Sequence, residues 1–125
     1  MLFKDYDPLK KKRLQILDEK GDIVNPDLEP KIDKDTLMKM YHTMVLGRIA
    51  DIKSIQYQRQ GRMLTYAPNR GQEATQIGAA AAMAEQDWFV PAFREMNAML
   101  YRGVTLEQVY MYWAGNEWGN HFDEG

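Results

Sequence analysis

Between Asp33 and Gly61, apolar side chains recur at helical spacing almost without a break: Leu37, Met40, Tyr41, Met44, Val45, Ile52 and Ile55, with Arg48 on the same line. Asp33 offers a side-chain oxygen to cap the first turn, and Ile32 and Leu37 stand at the two positions of a hydrophobic staple. Gly61 supplies a natural stop. At about 1.5 Å per residue, such a helix is roughly 40 Å long. A striped helix of that length needs something to lie against. Its apolar stripe is therefore expected at a buried interface in any assembly.

Shorter elements follow. A second helix is expected from near Asn69, whose side chain can cap it, through the Ala79 to Ala82 block. Small residues there (Ala74, Gly78, Ala81) allow another backbone to come close. Trp88-Phe89-Val90, between Asp87 and Pro91, reads as a short buried strand. A third helix is expected over Ala92 to Arg102, ending at Gly103. Thr105 and Gln108 form a capping box, with Val104 and Val109 as its staple, opening a fourth helix that ends near Gly115. Upstream, Leu14 to Leu17 and Ile23-Val24 read as two short strands around a turn at Gly21, and Asn25-Pro26 and Glu29-Pro30 break the backbone. The expected fold is mainly α: four helices with one or two short strands. It divides into an N-terminal extension and linker over residues 1–32 and a helical body over residues 33–125.

Composition excludes several classes of function. The 125 residues suit one domain at most, and a net charge of −2 offers no bulk attraction to nucleic acid or to an anionic membrane. The basic run Lys10-Lys11-Lys12-Arg13 lies beside Asp18, Glu19 and Asp22 and reads as a solvated surface. No apolar run approaches a membrane span, and Met1 leads into Lys4 and Asp5 rather than a signal-peptide core. The absence of cysteine removes disulfides and thiol catalysis and leans towards the cytosol, so the expected location is cytoplasmic. His42 falls beside the apolar stripe and reads as structural or solvated. His121, Asp123 and Glu124 crowd three potential ligands into four residues with no favoured zinc spacing, so no metal site is assigned.

Three segments remain that can carry chemistry: Gln58-Arg59-Gln60-Gly61-Arg62, Gly71-Gln72-Glu73-Ala74 and Pro91-Ala92-Phe93-Arg94-Glu95. Each allows a plain structural role. Arg94 and Glu95 can open a helix, and Gln72 and Glu73 suit a first helical turn, where the dipole favours negative charge. Tyr66, in Leu64-Thr65-Tyr66-Ala67-Pro68, can be a core or interface tyrosine. In this order and at this spacing, from about Asp33 to Gly125, the segments resemble the alpha subunits of thiamine-diphosphate-dependent 2-oxo acid dehydrogenases.

That resemblance implies the N-terminal part of an α/β thiamine-diphosphate-binding fold. It also implies a heterotetramer with a beta subunit, thiamine diphosphate and magnesium as cofactors, and oxidative decarboxylation of a 2-oxo acid. The acyl group would pass to lipoyl groups of an acyltransferase partner. Gln72, where branched-chain members carry Glu, leans towards pyruvate as the substrate, with branched-chain and acetoin-cleaving relatives as the alternatives. By the same resemblance Arg94 reaches the cofactor diphosphate, a role that suits a permanently charged group able to donate two parallel hydrogen bonds. Phe93 stands where the family usually has Tyr. It keeps the packing but lacks a hydroxyl whose bond to a charged group is worth about 1–3 kcal/mol. Tyr66 matches a family aromatic near the substrate end of the cofactor. No catalytic residue is assigned. The family's Gly-Asp-Gly segment, which holds the metal and the diphosphate, does not occur here, so most cofactor ligands are expected beyond Gly125 and the isolated piece is expected to be inactive. The aromatic residues Tyr110, Tyr112, Trp113 and Trp118 call for cover from other structure. A rival expectation, if these residues are the entire product, is a helical interaction or oligomerisation module without catalysis.

Overall fold

The structure is a computed structural model that describes residues 5–10 and 13–121. Lys11 and Lys12 of the basic run, and Asp123 and Glu124, lie outside the described residues. The chain forms two compact units, Met1–Asp33 and Lys34–Gly125.

In the first unit the two expected strands reduce to one antiparallel bridge, Leu17 to Ile23. Val24 N–H donates to Ile16 O at 2.9 Å and Asp18 N–H to Asp22 O at 3.0 Å. Asp18 Oδ1 closes the turn by accepting from the N–H groups of Lys20 and Asp22. Leu14, Leu17, Ile23 and Val24 are all exposed, so the ribbon has no buried face to extend it. One 3-10 turn, Pro26–Leu28, follows.

In the second unit four helices are bounded within the described residues: α1 (Lys34–Arg59), α2 (Glu73–Ala81), α3 (Met96–Tyr101) and α4 (Leu106–Trp113). The body is mainly α, as expected. Gly61 ends α1 with φ +71°: its N–H donates to Gln58 O while Arg62 N–H reaches back to Tyr57 O, the paired bonds of a Schellman motif. The expected capping box opens α4, with Thr105 Oγ1 accepting from Gln108 N–H and Gln108 Oε1 from Thr105 N–H. Ala50, Met96 and Val109 form the core, against which Met99, Leu100, Val104, Leu106, Tyr110 and Trp113 pack.

The packed face of α1 is not the apolar stripe. It is the small and polar set Gly47, Ala50, Asp51 and Ser54, whereas Leu37, Tyr41, Val45 and Ile52 are exposed. The reason is how closely α3 approaches. A Cβ at Gly47 would fall on the side-chain oxygen of the fully buried Asn97, so only small residues fit on that side.

Other boundaries also shift. Asn69 does not cap α2. The helix starts at Glu73 with Gln72 before it and no side-chain cap, while Asn69 is buried. Nor do Ala74, Gly78 and Ala81 form a close-packed face. Glu73, Gln76, Ile77 and Ala80 are the buried positions, and a Cβ at Gly78 would meet nothing. Residues 88–90 form no strand: Trp88 is 92 % and Val90 85 % exposed. A strand needs a neighbour for its N–H and C=O groups, and none stands beside this segment among the described residues. Finally, α3 begins at Met96 rather than Ala92, because Glu95 Oε2 takes the N–H groups of Ala92 and Arg94 and holds that segment in a turn.

Candidate functional site

Four segments of the second unit meet through buried polar side chains. Asp51 on α1 accepts from Tyr66 Oη–H at 2.9 Å and from Asn69 N–H at 2.6 Å, which anchors the loop after α1. Asn69 Nδ2 donates to Ala67 O, and its Oδ1 accepts from Gln76 Nε2 on α2 at 3.1 Å. Gln76 Nε2 also donates to Arg94 O at 2.6 Å. Its Oε1 accepts from both Asn97 N–H and Asn97 Nδ2 at 3.0 Å, in the first turn of α3. Asp51, Tyr66, Asn69, Gln76 and Asn97 are all buried. Burial, and then the bond to Asp51, push the Tyr66 hydroxyl well above the usual phenol range. Two atoms, Asp51 Oδ2 and Asn97 Oδ1, are buried without a partner among the described residues.

An ion pair stands beside this network. Arg48 Nε on α1 donates to Glu73 Oε1 at 2.5 Å, and Gly71 N–H donates to Glu73 Oε2 at 3.0 Å. The Arg48 hydrogen bond lowers the Glu73 carboxyl to about 2 against the opposing effect of burial. The same contact raises the Arg48 guanidinium above its ordinary value. The first-turn position expected for Glu73 is occupied, and its charge is met chiefly by Arg48.

The three sequence-predicted site residues are placed differently from one another. Arg94 is half-buried. Its Nη1 donates to Pro68 O at 2.7 Å, and no protein acceptor among the described residues takes Nε or Nη2. Phe93 is 62 % exposed, with the Arg94 guanidinium 5.3 Å from its ring centroid. Phe93 also lines a cleft of about 260 Å³ with Pro91, Glu95, Met99, Tyr112 and Trp113. Tyr66 is buried, packed edge-on against Trp113 at 5.4 Å. The fold thus joins Arg94 to the Tyr66 loop through Pro68 and Asn69, while Phe93 faces outwards. His42 and His121 are exposed, and no cluster of three His, Cys, Asp or Glu side chains that could hold a metal occurs among the described residues.

Residues 41–124, which include every member of this network, match the family described as dehydrogenase E1 component. The chain belongs to that family. Its relatives named pyruvate dehydrogenase E1 component subunit alpha include one from Acholeplasma laidlawii, 64 % identical over 108 residues, covering 86 % of this chain and 31 % of the relative. A second, from Mycoplasma genitalium, is 41 % identical over 109 residues, covering 87 % of this chain and 30 % of the relative. A third, from Staphylococcus aureus, is 38 % identical over 112 residues, covering 90 % and 30 %. The chain spans about a third of the length of the curated relatives it matches.

Within this member of the E1 family, Asp51, Gln76 and Asn97 were not singled out by sequence, and Asn69 was read only as a helix cap. A signal did exist. Asp51 sits between Ala50 and Ile52, and Asn97 between Met96 and Ala98, each a polar residue placed among apolar ones on a helix. A buried polar side chain needs a partner, and periodicity does not name it. No described helix is long and apolar enough to cross a membrane.

Proposed function

We propose that this E1-family chain supplies the N-terminal part of the alpha subunit of a pyruvate dehydrogenase, with residues 33–125 as the helical part of the thiamine-diphosphate-binding domain and residues 1–32 as an extension and linker. With a beta subunit it decarboxylates pyruvate oxidatively and passes the acyl group to lipoyl groups of an acyltransferase partner, in the cytoplasm. The observation that carries this reading is the 64 % identity over 108 residues to a relative named as such an alpha subunit.

The donor set of this chain fits an anionic cofactor. Arg94 is a permanent cation tethered at Nη1, with Nε and Nη2 left to donate, which suits a diphosphate oxygen pair. Phe93 offers only its ring beside that cation. Tyr66 is buried with its hydroxyl committed to Asp51, so towards substrate it contributes the placement of its loop. By the same reading the magnesium ligands belong to the family's Gly-Asp-Gly segment, which does not occur in this sequence. Bound thiamine diphosphate supplies the decarboxylation chemistry, and the protein supplies grip and orientation.

In the assembled alpha–beta enzyme, Arg94→Ala should raise the thiamine diphosphate dissociation constant about ten- to a hundredfold, the loss of about 1.5–3 kcal/mol from charged hydrogen bonds. Stability without cofactor should hardly change, and most of the cofactor-induced rise in melting temperature should vanish. An equal fall in melting temperature with and without cofactor, at unchanged affinity, would remove Arg94 from the site. The exposed α1 stripe also suits an association module without catalysis. Thiamine-dependent pyruvate decarboxylation by the assembled alpha and beta chains separates the two readings.

A further inference from the structure

Among the described residues, Gln76 hydrogen-bonds both the carbonyl of Arg94 and the loop that tethers its guanidinium. Arg94 is fixed at three points: its N–H by Glu95 Oε2, its main-chain carbonyl and its guanidinium Nη1. The carbonyl is held by Gln76 Nε2 at 2.6 Å. The guanidinium is held by Pro68 O, in a loop whose next residue, Asn69, is bound through Oδ1 by the same Gln76 Nε2. On its other side, Gln76 Oε1 accepts from Asn97 N–H and Nδ2, taking over the start of α3, where Glu95 provides no side-chain cap. One carboxamide therefore sets the carbonyl of residue 94, the loop that tethers its side chain, and the helix that follows.

A carboxamide suits this position, because its two N–H donors are shared among Arg94 O, Asn69 Oδ1 and Gln72 Oε1 while its oxygen accepts from Asn97. A carboxylate of the same size would keep the acceptor towards Asn97 but turn an oxygen towards Arg94 O and Asn69 Oδ1. A thioether would lose both sides. Gln76 is 92 % buried, so water does not readily replace what is lost. We infer that Gln76 is a positioning residue for the anion-binding guanidinium of Arg94, acting from α2 without touching the ligand. The inference rests on the assignment of Arg94 to the cofactor diphosphate.

The test is a double-mutant cycle in the assembled alpha–beta enzyme, read as the thiamine diphosphate dissociation constant and as turnover at saturating cofactor. Gln76→Glu should weaken cofactor binding about tenfold while saturated turnover stays within about twofold. In an Arg94→Ala background, Gln76→Glu should cause no further loss of affinity. Gln76→Met, which adds no charge, serves as the second variant and should behave the same way. If Arg94→Ala leaves affinity unchanged, the diphosphate assignment fails, and the role of Gln76 fails with it. If Arg94→Ala weakens binding but the Gln76 effect is absent, or persists in full in the Arg94→Ala background, the positioning role alone is overturned. Failure of both Gln76 variants to assemble would likewise overturn it, assigning Gln76 to folding.

Discussion

Glu73 shows at the residue scale how far a neighbour can move a charge. Its carboxyl is lowered from 4.5 to about 2, first by Arg48, so the pair stabilises the fold fully above about pH 4.5 and loses that contribution as pH falls through about 2. Glu73→Gln should lower the melting temperature at pH 7. Its difference from the parent should then shrink between pH 4.5 and 2, because the parent loses its ion pair in that window. A difference that stays constant from pH 7 to 2 would show that Arg48–Glu73 is not its source. Phe93→Tyr belongs to the same scale. The added hydroxyl, beside Arg94 on an exposed ring, should tighten thiamine diphosphate binding up to about tenfold in the assembled enzyme. Unchanged or weaker affinity in a titration would place position 93 away from the diphosphate. Arg94 was singled out along the chain only through the resemblance its segment carries. Gln76 was not, because a glutamine in a helix names no partner until the chain folds.

At the scale of elements, the contact between α1 and α3 depends on what Gly47 lacks. Gly47→Ala should gain about 1 kcal/mol in helix propensity. It should lose more by overpacking, about 1–3 kcal/mol, since the methyl meets a side chain that Gln76 pins and that has no solvent to move into. The expected net result is a lower melting temperature, and Gly47→Val should fall further. A rise for Gly47→Ala would show that α3 does not pack tightly there. Thr105→Ala removes one half of a reciprocal cap and should cost about 1 kcal/mol in denaturant unfolding. No measurable change would mean that the cap is dispensable to α4. The cap and the Gly61 stop were readable because both are local. The strand at residues 88–90 was misread because a strand is completed by a neighbour, and a run of apolar residues does not supply one.

For the molecule as a whole, Leu37, Tyr41, Val45 and Ile52 of the α1 stripe stay exposed among the described residues, and Met40, Met44 and Ile55 are half-buried. Val45 is 40 % exposed, so Val45→Asp should leave the melting temperature of the isolated chain nearly unchanged. In an alpha–beta assembly that buries the stripe, an unpaired carboxylate there costs several kcal/mol and should dissociate the complex in sedimentation velocity. An assembly that sediments unchanged would show that the stripe stays open to solvent.

Periodicity, caps and glycine stops lie within a few residues of one another, so the helical content, the start of α4 and the end of α1 could be read along the chain. The order and spacing of Gln58–Arg62, Gly71–Ala74 and Pro91–Glu95 pointed to the same family as the match over residues 41–124. Which face of α1 packs could not be read in this way. Hydrophobicity marks what prefers to be buried, whereas the approach of α3 selects what is small enough to allow contact. The network from Asp51 to Asn97 likewise joins residues up to 46 positions apart, and only tertiary structure brings one donor to another segment's acceptor.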